Sequence, residues 1–435
     1  MAKSTQTSPR SRAVIVAGVR TPFVRAFGPY TTLDTIALAE RVVRGLLERT
    51  NLDRKSVEGI IWGGVILPAT SPNIGREVVL DLGLPPEAHA HTVTRACASG
   101  LQAITDAAAL IDRGEADIVI AGGSDSTSNV GVSLPAEVIH AFAPLALGKQ
   151  AGIKDVVDAA RKLWPFNNIL PRRPQIAERS TGELMGESAE RMAELNAISR
   201  EAQDRLALDS HRKAAKAYDD GILTEEVIAV DTPSGRVERD GLLRADTTIE
   251  KLAKLGPVFK QGGTLTAGNS TALTDGAAAV LMMSEDTARA LGYTPLARLR
   301  SWSYVGVDPR DQLLIGPAIA MPQALDRAGL QLSDIDLVDI HEAFAAQVLS
   351  VLKALESDTF ARERLGRDKA VGAVDPARFN VHGGSLALGH PFGATGARMV
   401  TTMARELHRS GKQTALLGIC AAGGLGAAAV LERAD

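Results

Sequence analysis

Asp117-Ile118-Val119-Ile120-Ala121-Gly122-Gly123 is a short apolar run closed by two glycines. A second run near the C-terminus closes in Cys420-Ala421-Ala422-Gly423-Gly424. Each follows the same lead-in. Before the first stands a helical pattern after Gly100 (Leu101, Ile104, Ala108 and Ile111 on one face, to about Asp112), then Gly114. Before the second stands a helix after Gly396, then Gly411. Further upstream, Leu52-Asp53 and Val57-Glu58-Gly59-Ile60 pair with Leu332-Ser333 and Val338-Asp339-Ile340-His341, each after an amphipathic helix. The last third of the chain thus repeats the first, as two halves rather than a short-period array.

Within the first half, strands are expected at Ala13–Val19, near Val57–Val65 and at Asp117–Ala121, with an extended segment at His91–Arg95. A helix is expected over Thr35–Arg49, with Ile36, Ala39, Val43 and Leu46/Leu47 on one face. Alternating strands and helices imply an α/β fold with helices on the faces of a sheet. Residues 128–262 differ. They are richer in charge, helix formers and prolines (Pro165, Pro171, Pro174, Pro233), and read as an inserted, mainly helical lobe. The strand-rich pattern resumes over Thr264–Met283. The uncharged stretch Ala415–Leu431 is short for a membrane span and reads as strand, turn, strand.

A chain of 435 residues needs more than one core. An apolar share of 45% and a charged share of 23% fit a globular protein, and a net charge of -3 argues against nucleic-acid binding. Two cysteines in so long a chain favour a reduced, cytoplasmic setting over a disulfide framework. The polar, basic stretch Met1–Arg12 lacks the apolar core of a secretory signal and reads as a disordered tail.

Four residues fall where strands end or helices begin: Cys97, His341, His390 and Cys420. Backbone N–H groups at a helix start favour a thiolate at Cys97 and can donate to an oxyanion; the plainer alternative is an inert buried cysteine. His390, in Gly389-His390-Pro391, has a backbone fixed for a positioned base, or caps a turn. Cys420 enters a glycine-rich turn where an amide can approach a reacting oxygen, or is an ordinary sheet cysteine. His341 ends a strand, as a site residue or as a polar turn at the sheet edge. His89-Ala90-His91 looks like a metal pair, but nothing completes it, and no metal site is expected. The glycine-rich runs lack the context of a phosphate loop. Val156, Val157, Ala160, Leu163 and Trp164 have helical spacing beside Lys154, Arg161 and Lys162. They read first as a packed helix, with weak membrane association through 150–175, near Arg172-Arg173, as the alternative.

Taken in order, the motifs resemble the thiolase family over nearly the whole chain. They are Arg20-Thr21-Pro22-Phe23, Arg95-Ala96-Cys97-Ala98-Ser99-Gly100, Thr266-Ala267-Gly268-Asn269-Ser270, Thr274-Asp275-Gly276-Ala277, His341-Glu342-Ala343-Phe344, Asn380-Val381-His382-Gly383-Gly384, Gly389-His390-Pro391 and Cys420-Ala421-Ala422-Gly423-Gly424. The resemblance implies a duplicated five-layered α-β-α-β-α fold. Residues 1–127, completed by about 263–293, would form the N-terminal half. Residues 128–262 would form the loop domain that holds coenzyme A, and 294–435 the C-terminal half. It implies cleavage of 3-ketoacyl-CoA by coenzyme A in fatty acid β-oxidation, with coenzyme A as co-substrate and no permanently bound cofactor.

The implied roles are Cys97 as acylated nucleophile, His390 as its base, Cys420 as second acid/base, and the amides of Cys97 and Ala422 as an oxyanion hole. Most thiolases have glycine where Ala422 stands. Many have asparagine where His341 stands, and a histidine there is similar to the trifunctional-type enzymes, as is the long insert between Gly131 and Thr181. That similarity implies medium- to long-chain substrates and an α-type partner with hydratase and dehydrogenase activities. Coenzyme A contacts carry over to Met185, Arg244, Phe259, Ala267, Thr271, Ala343 and Phe344. The family forms dimers or dimers of dimers. The rival readings are an acetyl-CoA acetyltransferase working in condensation, a ketoacyl synthase, a non-catalytic acyl-CoA binding protein, and a membrane-recruited scaffold.

Overall fold

The computed structural model describes residues 12–131, 134–147, 152–164 and 177–434. The tail before Arg12 and the pair Arg172-Arg173 lie outside the described residues. The first run of main elements is β1 (Ala13–Arg20), α1 (Thr35–Thr50), β2 (Gly59–Gly63), α2 (Ile74–Asp81), β3 (His89–Val93), α3 (Ser99–Asp112) and β4 (Ile118–Ser126). The middle of the chain holds α4 (Ala136–Leu147), α5 (Ile153–Leu163), α6 (Met185–Leu195) and α7 (Arg200–Asp219). The last run is β5 (Thr274–Ser284), β6 (Ala297–Gly306), α8 (Pro317–Ala328), β7 (Leu337–Ile340), α9 (Ala345–Leu355), α10 (Phe392–Ser410), β8 (Thr414–Ala421) and β9 (Leu425–Arg433).

Local chemistry sets the ends of these elements. Asp34 caps α1 by accepting from the Ala37 amide at 2.8 Å, and Asn51 closes it in the left-handed region at φ 52. The strands alternate between two cores. On β5, Ala278, Val280 and Met282 enter one core, while Ala277, Ala279, Leu281 and Met283 enter another.

The sheet order is β7-β8-β9-β6-β1-β5-β4-β2-β3. Its middle is a seam, because β1 meets β6 at a single pair, Ile15 with Ala297. Outward from that seam the halves match step for step. β1–β5 and β5–β4 are antiparallel, and β4–β2 and β2–β3 are parallel. β6–β9 and β9–β8 are antiparallel, β8–β7 is parallel, and Phe379 adds a parallel bridge to Val338 where β3 stands in the first half. The duplication expected from the sequence is therefore a duplication of topology.

Three cores separate five layers. Helices α1 and α2 share a core with one face of the first half-sheet. Helices α8 and α9 share another with the outer face of the second. Helices α3 and α10 lie between, their apolar residues in one core with β4, β5, β8 and β9. The contact between α3 and α10 is close enough to require glycine: a Cβ on Gly100 would sit 2.4 Å from the Gly393 carbonyl, and one on Gly396 would sit 2.4 Å from the Leu101 amide.

Some boundaries differ from expectation. β4 does not stop at Ala121 but runs through Gly122-Gly123 to Ser126, because both glycines pair with β5 at Ala279 and Ala278. Residues 264–273 are not strand. Asn269 folds them by accepting from the Thr266 amide at 2.7 Å and donating to Asp204 at 2.9 Å. α10 starts at Phe392, ahead of Gly396, because packing against α3 outweighs the low helix propensity of its glycines.

The span 128–262 divides. Val130–Ala177 is a compact unit of its own, and 178–262 belongs with the rest of the chain. Within the smaller unit, α4 packs on α5, burying Val138, Ala141 and Ala159.

Arg20, at the end of β1, holds the 178–262 segment to the sheet. Its guanidinium reaches Glu226 at 2.6 Å and Asp240 in bidentate fashion at 2.6 and 2.9 Å, and Tyr218 and the Phe23 amide also donate to Asp240. All three charged side chains are buried. Arg20→Met leaves two carboxylates without their cation, so unfolding free energy falls by about 3–5 kcal/mol. A urea midpoint equal to that of the parent protein would count against this account.

Candidate active site

Cys97 sits in a tight elbow between β3 and α3. Ala96 lies in the left-handed region at φ 45, which points the next side chain away from the strand direction. The Ser99 hydroxyl holds the elbow, accepting from the Arg95 amide at 2.7 Å and donating to the Ala96 carbonyl at 2.6 Å. The corner after β7 is built in a related way. Asn380, at φ 40, accepts from the Ile340 amide at 2.8 Å and donates to the Ile340 carbonyl at 3.0 Å and to Glu342 at 2.7 Å. Glu342 in turn accepts from Ser210 and the Leu386 amide. This network fixes the backbone on both sides of His341.

The four residues expected at strand and helix ends converge. Cys97 Sγ lies 3.1 Å from His390 Nε2, and His390 Nε2 lies 3.2 Å from His341 Nε2. The three atoms lie within 4.8 Å of one another, a spacing that suits proton transfer and that one metal ion could also bridge. His390 Nδ1 contacts Thr395 Oγ1 at 2.6 Å, and His341 Nδ1 contacts Ser385 Oγ at 2.9 Å. Cys420 is buried at the end of β8 and close enough that charge on Cys97 raises its pKa.

The electrostatics favour neutral resting groups. Burial pushes the Cys97 thiol up to about 12, against the lowering effect of hydrogen bonds from the Ala422 amide and its own amide. Those two amides therefore lie close enough to the sulfur to favour its thiolate. Burial, with the Arg398 guanidinium nearby, drives His390 down to about 3. Burial, His390 and Arg398 hold His341 well below the ordinary histidine range. Burial holds the Cys420 thiol well above its ordinary value.

A cavity of about 320 Å³ opens beside the site. Of the residues expected to contact coenzyme A, Arg244, Phe259, Ala267 and Thr271 line it. Met185, Ala343 and Phe344 do not. Phe344 stands edge-on behind Phe259 at 5.8 Å, the Ala343 carbonyl accepts from the Thr271 amide at 3.0 Å, and Met185 packs against the α8/α9 core. One wall is hydrogen-bonded toward the cluster of Cys97, His390 and His341. Thr271 Oγ1 donates to the Ser385 carbonyl at 3.0 Å, and the His390 amide donates to Thr274 Oγ1 at 3.1 Å. Arg25, His211 and Ser270 also line the cavity, unforeseen from the sequence because each is a single polar residue outside the quoted contact positions. His89 and His91 lie on the edge strand β3, exposed and apart from this site.

A family model described as the thiolase N-terminal domain matches residues 13–286, and one described as the thiolase C-terminal domain matches 293–433. The chain belongs to the thiolase family. It is accordingly an acyltransferase. It is 47% identical to a 3-ketoacyl-CoA thiolase of Yersinia pestis (strain Pestoides F), over 97% of each chain. Among solved structures it is similar to the acetyl-CoA acetyltransferase of Bacillus anthracis, with 33% identity and a TM-score of 0.82. It is also similar to human mitochondrial 3-ketoacyl-CoA thiolase in complex with CoA, with 30% identity and a TM-score of 0.81. Each match covers 98% of this chain and 100% of the other. The thiolase fold thus accounts for the duplicated halves, the seam between them and the convergence of residues from both.

Proposed function

We propose that this chain is a 3-ketoacyl-CoA thiolase of fatty acid β-oxidation, releasing acetyl-CoA and a shortened acyl-CoA through a Cys97 acyl-enzyme. The observation that carries the reading is the 3.1 Å contact between Cys97 Sγ and His390 Nε2, with His341 beside it and the Cys420 thiol nearby.

Cleaving the C2–C3 bond leaves a carbanion beside a thioester, and covalent catalysis divides that step in two. His390 Nε2 takes the Cys97 proton, and the sulfur attacks the 3-keto carbon. The amides of Cys97 and Ala422 hold the tetrahedral oxyanion. As the C2–C3 bond breaks, its electron pair moves into an enolate of the departing thioester. Its oxygen is held by protonated His390 and by His341. The Cys420 thiol protonates C2, releasing acetyl-CoA. Coenzyme A then gives its thiol proton to the Cys420 thiolate and attacks the acyl group. Cys97 leaves and regains its proton from His390. The cavity suits the pantetheine arm, with apolar Phe259, Ala267 and Leu252 along it and Arg244 placed for phosphate.

The test is thiolysis of 3-ketoacyl-CoA substrates of rising chain length. Cleavage that extends to medium and long chains supports the trifunctional-type reading. A profile confined to acetoacetyl-CoA selects the acetyl-CoA acetyltransferase, which uses the same groups in reverse. No cleavage at any length sinks the enzyme reading in favour of an acyl-CoA binding protein.

The proposal extends to a homodimer or dimer of dimers, a cytoplasmic location and an α-type subunit. Light scattering on the purified chain, alone and mixed with such a subunit, reads out the assembly. Among the described residues no helix is long and apolar enough to cross a membrane. Helix α5 nonetheless exposes Ile153, Val156 and Val157, which supports peripheral membrane association through 150–175. Deleting 150–175 is expected to abolish co-sedimentation with anionic vesicles and leave thiolysis intact. Equal sedimentation of both proteins removes the idea.

A further inference from the structure

We propose that Ser385 is a positioning residue: its hydroxyl holds His341 in the tautomer that carries its proton on Nε2, so that His341 presents an N–H to the substrate oxygen. The inference rests on the proposed function for its catalytic consequence, while the tautomer rests first on the geometry around Ser385.

Ser385 is fully buried, just after the glycine pair that follows His382. Among the described residues its Oγ has two hydrogen-bonding neighbours, His341 Nδ1 at 2.9 Å and Arg398 Nη2 at 3.4 Å. A guanidinium only donates. The serine proton therefore has one acceptor in reach, the Nδ1 lone pair. Arg398 is itself held by Asp339, at 3.2 Å, so it stays oriented toward the serine.

The opposite tautomer fails at both ends of the ring. With the proton on Nδ1, His341 would donate to Ser385 Oγ, and the serine hydrogen would be left facing donors. At the far end, an Nε2 lone pair would face His390 Nε2 at 3.2 Å. His390 Nε2 must itself be unprotonated to take the Cys97 proton, which leaves its Nδ1–H to donate to Thr395. Two lone pairs would then confront each other. With the proton on Nε2, the His341 N–H shares the single His390 Nε2 lone pair with the Cys97 thiol at rest. Once His390 is protonated, both rings turn an N–H toward the same oxygen. Burial and Arg398 keep His341 uncharged, so its tautomer is the remaining degree of freedom.

The experiment uses the full-length enzyme labelled with 15N-histidine, as the parent protein and as Ser385→Ala, each with His341 or with His341→Asn. In the parent protein, the His341 nitrogen shifts are expected to report a proton on Nε2. In Ser385→Ala they move toward a mixture. Thiolysis kcat falls about tenfold with KM little changed, less than the roughly 10²–10³-fold for outright loss of an oxyanion donor. In the His341→Asn background the serine substitution changes kcat less than about twofold, because a carboxamide has no tautomers. A proton on Nδ1 in the parent protein overturns the proposal. So does an equal loss of kcat in both backgrounds, which would mark Ser385 as structural, and so does an unchanged kcat with His341 present. If the parent protein cleaves no 3-ketoacyl-CoA, the functional reading fails, and the nitrogen shifts still decide the tautomer.

Discussion

Cys97→Ala abolishes thiolysis at every chain length, lowering kcat by roughly 10⁴-fold or more. The size of the expected loss follows from the chemistry. Without the sulfur, coenzyme A must attack the ketone directly and expel a carbanion in the same event. The proposed oxyanion donors remain, since they are backbone amides and the His390 and His341 rings, and so does the cavity. Substrate binding should therefore survive, with a dissociation constant for acyl-CoA close to that of the parent protein. The substitution is also small: Cys97 is half-buried in an elbow held by the Ser99 hydroxyl, so the fold loses little. Retained cleavage by Cys97→Ala would remove the acyl-enzyme from the mechanism. Lost binding together with lost cleavage would mean that the elbow itself had collapsed.

The second large effect separates the two chemical steps. Cys420→Ala should lower kcat for thiolysis by about 10³-fold, within the range for removing a positioned acid. Exchange of an acyl group between acyl-CoA and free coenzyme A forms no carbanion, so Cys420 is never ionised in it, His390 alone carries the proton between Cys97 and coenzyme A, and the rate should fall far less. The contrast depends on protonation state: burial and the neighbouring Cys97 keep the Cys420 thiol protonated and able to donate. Washout of C2 hydrogens from acetyl-CoA into deuterated water should collapse along with thiolysis. If exchange and thiolysis fall equally, Cys420 serves the thioester step, and the carbanion must find its proton elsewhere.

The residues that carry these predictions were legible because they interrupt regular patterns. Cys97 lies between an extended segment and a helix, His390 lies in a Gly-His-Pro turn ahead of a helix, and Cys420 stands where an apolar strand runs into a glycine-rich turn. The duplicated architecture could be read from the paired lead-ins and from the two glycine-closed strands. What escaped were single polar residues whose partners lie far away in the chain. Ser385 and Arg398 sit among apolar, glycine and alanine positions, and nothing nearby in sequence says that they flank His341. Asp125 is similar. Burial raises it to about 7, and it accepts from the amides of Val65, Ile66 and Gly393, tying the start of α10 to the first half. The strand ends were misjudged where glycine was read as punctuation. At Gly122-Gly123 it is a clearance, since a Cβ on Gly123 would lie 2.1 Å from the Gly393 carbonyl.

Cys97 and His390, the proposed nucleophile and its base, come from different halves and are 293 positions apart in the chain. During synthesis on the ribosome, the Cys97 segment emerges long before α10 exists. Through that interval the thiol has no imidazole beside it, no Ala422 amide and no buried wall. The nascent chain carries a cysteine without its partners, and the catalyst begins only when α10 and then the end of β8 have docked. A chain cut anywhere before α10 is therefore inert toward 3-ketoacyl-CoA, however well its first half folds, and the appearance of activity marks the closing of the seam.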